Sequence, residues 1–206
     1  MATTTMPAPD QVTGVILAGG RARRMAGRDK GLLECAGRPL IAHALDILRP
    51  VCGRLLINAN RSLGDYRDFD VPVISDEVTG FQGPLAGILT ALRVADTPYL
   101  VVIPCDSPRL ETATLTRLLR ALMENQVDIA LAHDGKRLHP VVMALRTGLA
   151  DDLAAYLNAG KRKVDRWAKR QAWATVDCSD RPGQFANINT PEELETLAKH
   201  LNGHSA

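Results

Sequence analysis

Short apolar runs rich in β-branched residues recur along this chain, and a helical stripe follows most of them. Val12 to Ala18, Leu55 to Ile57, Val71 to Ile74 and Tyr99 to Ile103 read as strands, as do Asp128 to Ala132, Val141 to Ala144 and Trp173 to Val176. Between them, Leu40, Ile41, Ala44, Leu45 and Leu48 fall on one helical face, with Pro39 at a first helical position. Leu85, Ile88, Leu89 and Leu92 mark a second helix over Pro84 to Val94, and Leu115, Leu118, Leu119 and Leu122 a third. Leu149 to Asn158 is a fourth. Thr190-Pro191-Glu192-Glu193 is a capping box that opens a last helix. Strands alternating with helices require an α/β fold: a Rossmann-like single domain whose mostly parallel, mixed sheet is flanked by helices. Pro72 places the Val71 to Ile74 strand near a sheet edge.

The chain has 206 residues, enough for one well-buried domain. Residues 1–11, rich in Thr, Pro and Ala, read as a flexible arm, and residues 12–206 as the domain. Twenty-five Lys and Arg against 23 Asp and Glu leave a net charge of +2, too balanced for a general nucleic-acid or membrane-surface binder. No run approaches the ~18 apolar residues of a membrane span, and no signal peptide opens the chain. A cytoplasmic protein is expected. The four cysteines, Cys35, Cys52, Cys105 and Cys178, have neither zinc nor C-x-x-C spacing, so they read as reduced, buried thiols.

The first strand runs into Gly19-Gly20, where a bare backbone lets a ligand approach closely. Successive amides in such a turn form a concavity for anions. Arg21, Arg23, Arg24, Arg28 and Lys30 follow within ten residues, against the single acid Asp29. Such a constellation suits a triphosphate. The loop matches neither the P-loop of NTPases nor the G-x-G-x-x-G dinucleotide fingerprint, which counts against an ATPase and a dehydrogenase. Asp106 follows the strongest apolar strand, at the carboxyl end where open α/β sheets bind ligands. A lone carboxylate there suits one Mg²⁺ that keeps several waters and bridges substrate phosphates.

The phrase from Leu17 to Leu33, Leu-Ala-Gly-Gly-x-x-Arg-Arg-Met-x-Gly-x-Asp-Lys-Gly-Leu-Leu, resembles the opening signature of the molybdenum cofactor guanylyltransferases. The similarity continues through Gly37-Arg38-Pro39-Leu40, Asn58-Ala59-Asn60-Arg61, Gly83-Pro84-Leu85-Ala86-Gly87, Pro104-Cys105-Asp106-Ser107-Pro108, His139-Pro140 and Asn187 to Leu194. These anchors cover nearly all of the chain after residue 11. The resemblance implies transfer of GMP from GTP to the terminal phosphate of molybdopterin, with release of pyrophosphate. It implies Mg²⁺ on Asp106, and GTP held by Asn58, Asp76 and the backbone of Leu17, Ala18, Gly19 and Gly20. Gly83 and Gly87 become an active-site wall, and Asn187 and Asn189 line the pterin side. Molybdenum-insertion and molybdoenzyme maturation proteins are the implied partners. Two rival readings stay open: a CTP- or sugar-phosphate-using nucleotidyltransferase, and a GTP-binding module without catalysis.

Lys30 and Arg24 are the cations expected to offset charge on the triphosphate and the leaving pyrophosphate. A second basic run, Lys161 to Arg170, is read as a second cationic wall, because two anionic substrates must meet against their repulsion. Arg162 is the expected phosphate contact, since a guanidinium binds phosphate bidentately. The bland alternative for this run is a solvated face. His139 reads as a buried, hydrogen-bonded residue with no catalytic role, because the attacking phosphate is already ionised at neutral pH.

Overall fold

The computed structural model describes residues 5–19, 29–77 and 83–202. Gly20 and Arg24, with the other arginines of residues 20–28, lie outside these. Nine strands are described: β1 (Val12–Leu17), β2 (Glu34–Cys35), β3 (Arg38–Pro39), β4 (Arg54–Asn58), β5 (Val73–Ile74), β6 (Tyr99–Pro104), β7 (Ile129–His133), β8 (Leu138–Arg146) and β9 (Trp173–Asp177). The α-helices are α1 (Leu40–Leu48), α2 (Leu63–Arg67), α3 (Pro84–Val94), α4 (Thr112–Glu124), α5 (Ala150–Asn158), α6 (Val164–Ala168) and α7 (Pro191–Asn202).

Seven strands form one sheet in the order β5-β4-β1-β6-β8-β7-β9. β5, β4, β1 and β6 are mutually parallel, β8 runs against β6 and β7, and β9 is parallel to β7. The sheet is therefore mixed and mostly parallel, as the sequence predicts. The strands are apolar almost throughout because helices cover both faces. Alternation along β6 makes this concrete: Val101 and Ile103 pack into the core under α1 and α4, while Leu100 and Val102 pack into the core under α3, α5 and α6. Every apolar residue assigned to the α1, α3 and α4 stripes is buried.

Some expectations need correction. Pro39 is not the first helical residue. It pairs with Glu34 in the two-stranded β2–β3 ribbon and caps α1. The ribbon turns through Ala36 and Gly37, both at positive φ (52° and 75°), the geometry a two-residue hairpin demands. The third strand shrinks to Val73–Ile74 and does sit at the sheet edge beside β4. Two short helices escaped the periodicity reading, α2 and α6, each five residues long. The capping box at α7 is present: the Glu193 carboxylate accepts from the N–H groups of Asn189 and Thr190, and Glu193 N–H donates to Thr190 Oγ1.

Candidate active site

The parallel strands β1, β4, β5 and β6 all end on one edge of the sheet. β1 leads to β4 on one side and is flanked by β6 on the other, so chain direction across the sheet reverses there. Such a reversal opens a crevice beyond the carboxyl ends, the usual ligand position in open α/β sheets. Main-chain bonds tie the edge together: Ala18 N–H donates to Asn58 O at 2.8 Å and Cys105 N–H to Leu17 O at 3.2 Å.

On the β4 side, three polar side chains interlock. Asn58 Nδ2 donates to Asp76 Oδ1 at 2.9 Å, and Asn60 Nδ2 donates to Asp76 Oδ2 at 2.8 Å. Asp76 N–H returns a bond to Asn60 Oδ1 at 2.9 Å. Each carboxylate oxygen is thus oriented by a different asparagine, with lone pairs left over for a ligand's N–H donors. Asn58 is 3% exposed and packs so tightly on α3 that a Cβ at Gly87 would lie 2.2 Å from Asn58 Oδ1. A Cβ at Gly19 would meet Asn60 Nδ2 at 2.9 Å. Gly19, Asn58, Asp76 and Gly87, singled out in the sequence, therefore converge. Asn60 stood in a quoted motif but was given no role. Its spacing of two from Asn58, one strand period, was the available signal.

On the β6 side, Lys30 Nζ donates to Asp106 Oδ2 at 2.6 Å and to Asn189 Oδ1 at 2.9 Å. This joins the segment after β1, the end of β6 and the approach to α7, three stretches far apart in sequence. Ser107 Oγ donates to Asn187 Oδ1 at 2.8 Å, and Ile188 N–H donates to Asp106 O at 2.9 Å. Asp106 Oδ1 is buried and, among the described residues, accepts no hydrogen bond. A buried carboxylate oxygen with a spare lone pair needs a partner, and a hard cation is a suitable one. Among the described residues no three His, Cys, Asp or Glu side chains converge as a metal cage. The donor set therefore fits a cation shared with substrate phosphates and water rather than one held by protein alone.

The asparagines are held from behind. His139 stacks on Phe185 (centroids 4.1 Å apart, planes at 13°) and its Nε2 lies 2.7 Å from Asp134 Oδ2. That bond, with the N–H groups of Arg137 and Lys136, holds the Asp134 carboxyl well below its ordinary range. Gln184 accepts from Thr114 Oγ1 at 2.7 Å. Residues 184–189 are thereby pinned to α4 and the β7–β8 turn. His139 is hydrogen-bonded, as expected, but part-buried rather than fully buried. Cys105, beside Asp106, is buried and its thiol is pushed far up by desolvation, so it is inert.

Gly83 caps α3 at φ 78°, and among the described residues no atom lies within 4 Å of where a Cβ would stand. Arg162 sits in the α5–α6 turn, where its Nη1 donates to the carbonyls of Leu157 and Lys161 at 2.7 Å each and so caps α5. Other cations of that run lie over aromatic faces: Lys161 and Arg170 over Tyr156, and Lys169 over Trp173, at 5.5–5.6 Å.

Strand order and crevice together define a mixed, mostly parallel α/β domain with a ligand crevice where the strand order reverses, and the matching family model is that of an NTP transferase domain. The fold is shared with a molybdopterin-guanine dinucleotide biosynthesis protein A from Archaeoglobus fulgidus (TM-score 0.77, 22% identity, 93% of this chain and 99% of that one). It is also shared with a 2-C-methyl-D-erythritol 4-phosphate cytidylyltransferase from Thermus thermophilus (TM-score 0.70, 15% identity, 91% and 98% covered). The family described as MobA-like NTP transferase domain matches residues 14–175. The chain is 47% identical to a molybdenum cofactor guanylyltransferase of Shewanella halifaxensis over 191 residues, 93% of this chain and 96% of that protein. Its counterpart in Shewanella sediminis is also 47% identical, with 93% and 97% covered. The chain belongs to the molybdenum cofactor guanylyltransferase family.

Proposed function

We propose that this chain transfers GMP from GTP to the terminal phosphate of molybdopterin, forming molybdopterin guanine dinucleotide and pyrophosphate. The knot of Lys30, Asp106 and Asn189 carries the reading, because it brings a triphosphate cation, a cation-binding carboxylate and a neutral amide to one point. A phosphate oxygen of the pterin attacks the α-phosphorus of GTP, and the bond from that phosphorus to the bridging oxygen breaks as pyrophosphate departs. The nucleophile is ionised at neutral pH, so no general base is required. The protein's task is positioning and charge stabilisation. Lys30 and Arg24 stabilise the triphosphate and the leaving group. Mg²⁺ is the cofactor proposed for Asp106, where it would neutralise phosphate charge when bound.

Asp76, oriented by its two asparagines, accepts N–H donors of the guanine edge, with Asn58 beside it. Backbone of Leu17, Ala18, Gly19 and Gly20 holds the nucleotide. Gly83 and Gly87 at α3, Arg162, Asn187 and Asn189 form the molybdopterin side. Residues 1–11 are an arm on a single domain whose earlier part binds GTP and whose later part binds the pterin. The enzyme works in the cytoplasm, receiving its substrate from molybdenum-insertion proteins and passing product to molybdoenzyme maturation proteins. The deciding experiment is mass analysis of the product from GTP, molybdopterin and Mg²⁺. A mass gain of one GMP with stoichiometric pyrophosphate supports the reading. Equal turnover of CTP, or no dinucleotide product, overturns it.

A further inference from the structure

We propose that Tyr66 is a positioning residue for guanylyl transfer: its hydroxyl fixes Asp29, and through Asp29 the short turn that aims Lys30 into the crevice. The inference rests on the role given to Lys30 above. Tyr66 lies on α2, an element otherwise without a functional part, and is wholly buried. Its hydroxyl donates to Asp29 Oδ1 at 2.6 Å. The Asp29 side chain is 2% exposed, with Arg61 Nε 3.8 Å from its other oxygen. The sequence placed Asp29 as the one acid in a basic stretch; the fold buries its side chain.

A buried carboxylate is costly unless several partners hold it. Here the cost is visible, since desolvation raises the Asp29 pKa despite the bonds from Tyr66 and from Gly31 N–H and the nearby Arg61 charge. An apolar residue would serve packing at lower cost, so the carboxylate's contribution lies in what it orients. Asp29 directly precedes Lys30. Leu32 N–H donates to Asp29 O at 3.1 Å and Leu33 N–H to Lys30 O at 3.2 Å, so residues 29–33 move as one 3-10 turn. Tyr66 touches this turn on both sides of Lys30. It bonds Asp29, and it packs on Gly31 so closely that a Cβ there would lie 2.4 Å from its hydroxyl. A lysine carries four flexible carbons, and holding its ammonium on both Asp106 and Asn189 requires a fixed backbone origin. The ring supplies the floor of that origin, and the hydroxyl locks it. Burial and Asp29 push the phenol pKa far up, so it stays a donor at every working pH.

The test is a double-mutant cycle on kcat/KM, read as pyrophosphate release from GTP and molybdopterin. Tyr66→Phe keeps the ring and removes the lock. With Lys30 present it should lower kcat/KM about tenfold, the size of one lost hydrogen bond to a charged group. In a Lys30→Ala background the same change should cost less than about twofold, since no ammonium remains to aim. Asp29→Asn, read in the same two backgrounds, repeats the test should Tyr66→Phe fold poorly. Equal losses in both backgrounds would make Tyr66 an ordinary core residue and overturn the proposal, as would full activity of Tyr66→Phe. A Lys30→Ala enzyme with wild-type turnover is a separate result. It would refute the role of Lys30 itself and leave Tyr66 nothing to position.

Discussion

Gly87→Ala adds one methyl group to α3, and two effects oppose each other. Alanine is worth about 1 kcal/mol more than glycine inside a helix. The new Cβ, however, would stand 2.2 Å from Asn58 Oδ1, 2.8 Å from its Cγ and 3.0 Å from Leu17 Cδ2. Asn58 must move by about an ångström to restore ordinary contact, and it is 3% exposed with its amide bonded to Asp76. Overpacking of that kind costs about 1–3 kcal/mol, and a lost buried hydrogen bond about 1 more. The clash wins by roughly 1–3 kcal/mol, which in a domain of this size lowers Tm by roughly 3–9 °C. Displacing Asn58 also releases one oxygen of Asp76, so GTP binding should weaken about tenfold, the cost of a lost bond to a charged group. Thermal melts and GTP calorimetry measure both. The control is the same substitution in an Asn58→Ala background, where the two nearest obstructing atoms are gone and only the flexible end of Leu17, at 3.0 Å, must yield, so Gly87→Ala should be close to neutral or stabilising. A higher Tm for the single variant, with unchanged GTP affinity, would refute the packing argument and leave helix propensity alone in charge.

Asp106→Ala removes the carboxylate that binds Lys30 and offers its free oxygen, and should lower kcat on the order of a thousandfold while Tm changes little. Turnover within threefold of wild type would remove Asp106 from the chemistry. Asp29→Asn has a pH signature. Because desolvation raises the Asp29 pKa above its ordinary 3.8, the folded state holds that proton more tightly than the unfolded chain. Its stabilising contribution is therefore present at low pH and is lost as pH rises from about 4 through the raised value. The asparagine variant should gain Tm relative to wild type between pH 4 and pH 7, and a difference independent of pH would contradict the burial. Asn60→Ala frees Asp76 Oδ2 and its N–H without touching Asn58, and should narrow the preference for GTP over ATP in competition binding. Arg162→Ala loses the bonds to Leu157 O in α5 and to Lys161 O in the turn after it. If Arg162 also holds the pterin phosphate, molybdopterin affinity should fall while GTP affinity stays within about twofold, a change of under half a kcal/mol. A lower Tm with both affinities intact would leave it a helix cap.

What could be read in advance and what could not divides along a physical line. Periodicity reports burial, and burial is set locally, so β1, β6 and the α1, α3 and α4 stripes were legible to within a residue or two. Asp106 stood out as a candidate because it follows the strongest apolar strand, where a polar side chain is conspicuous, whereas Asn58 and Asp76 were singled out by the family resemblance. The antiparallel insertion of β8 between β6 and β7 was not, because strand direction depends on how the chain returns rather than on any strand's composition. Helices of five residues, such as α2 and α6, are too short to show a period. The sharpest failure is Asp29. In a stretch with five cations, a lone acid carries no signal of burial, and only its partner supplies one. That partner, Tyr66, stands 37 residues away on a helix the sequence does not announce. The basic run at 161–170 was read from charge alone, as a phosphate wall or a solvated face. The fold adds what charge does not show, that Lys161, Lys169 and Arg170 lie over aromatic rings and Arg162 caps a helix. Charge counts record how many cations a segment holds. What a cation does depends on which acceptors and ring faces the fold sets beside it, and those come from residues distant in sequence.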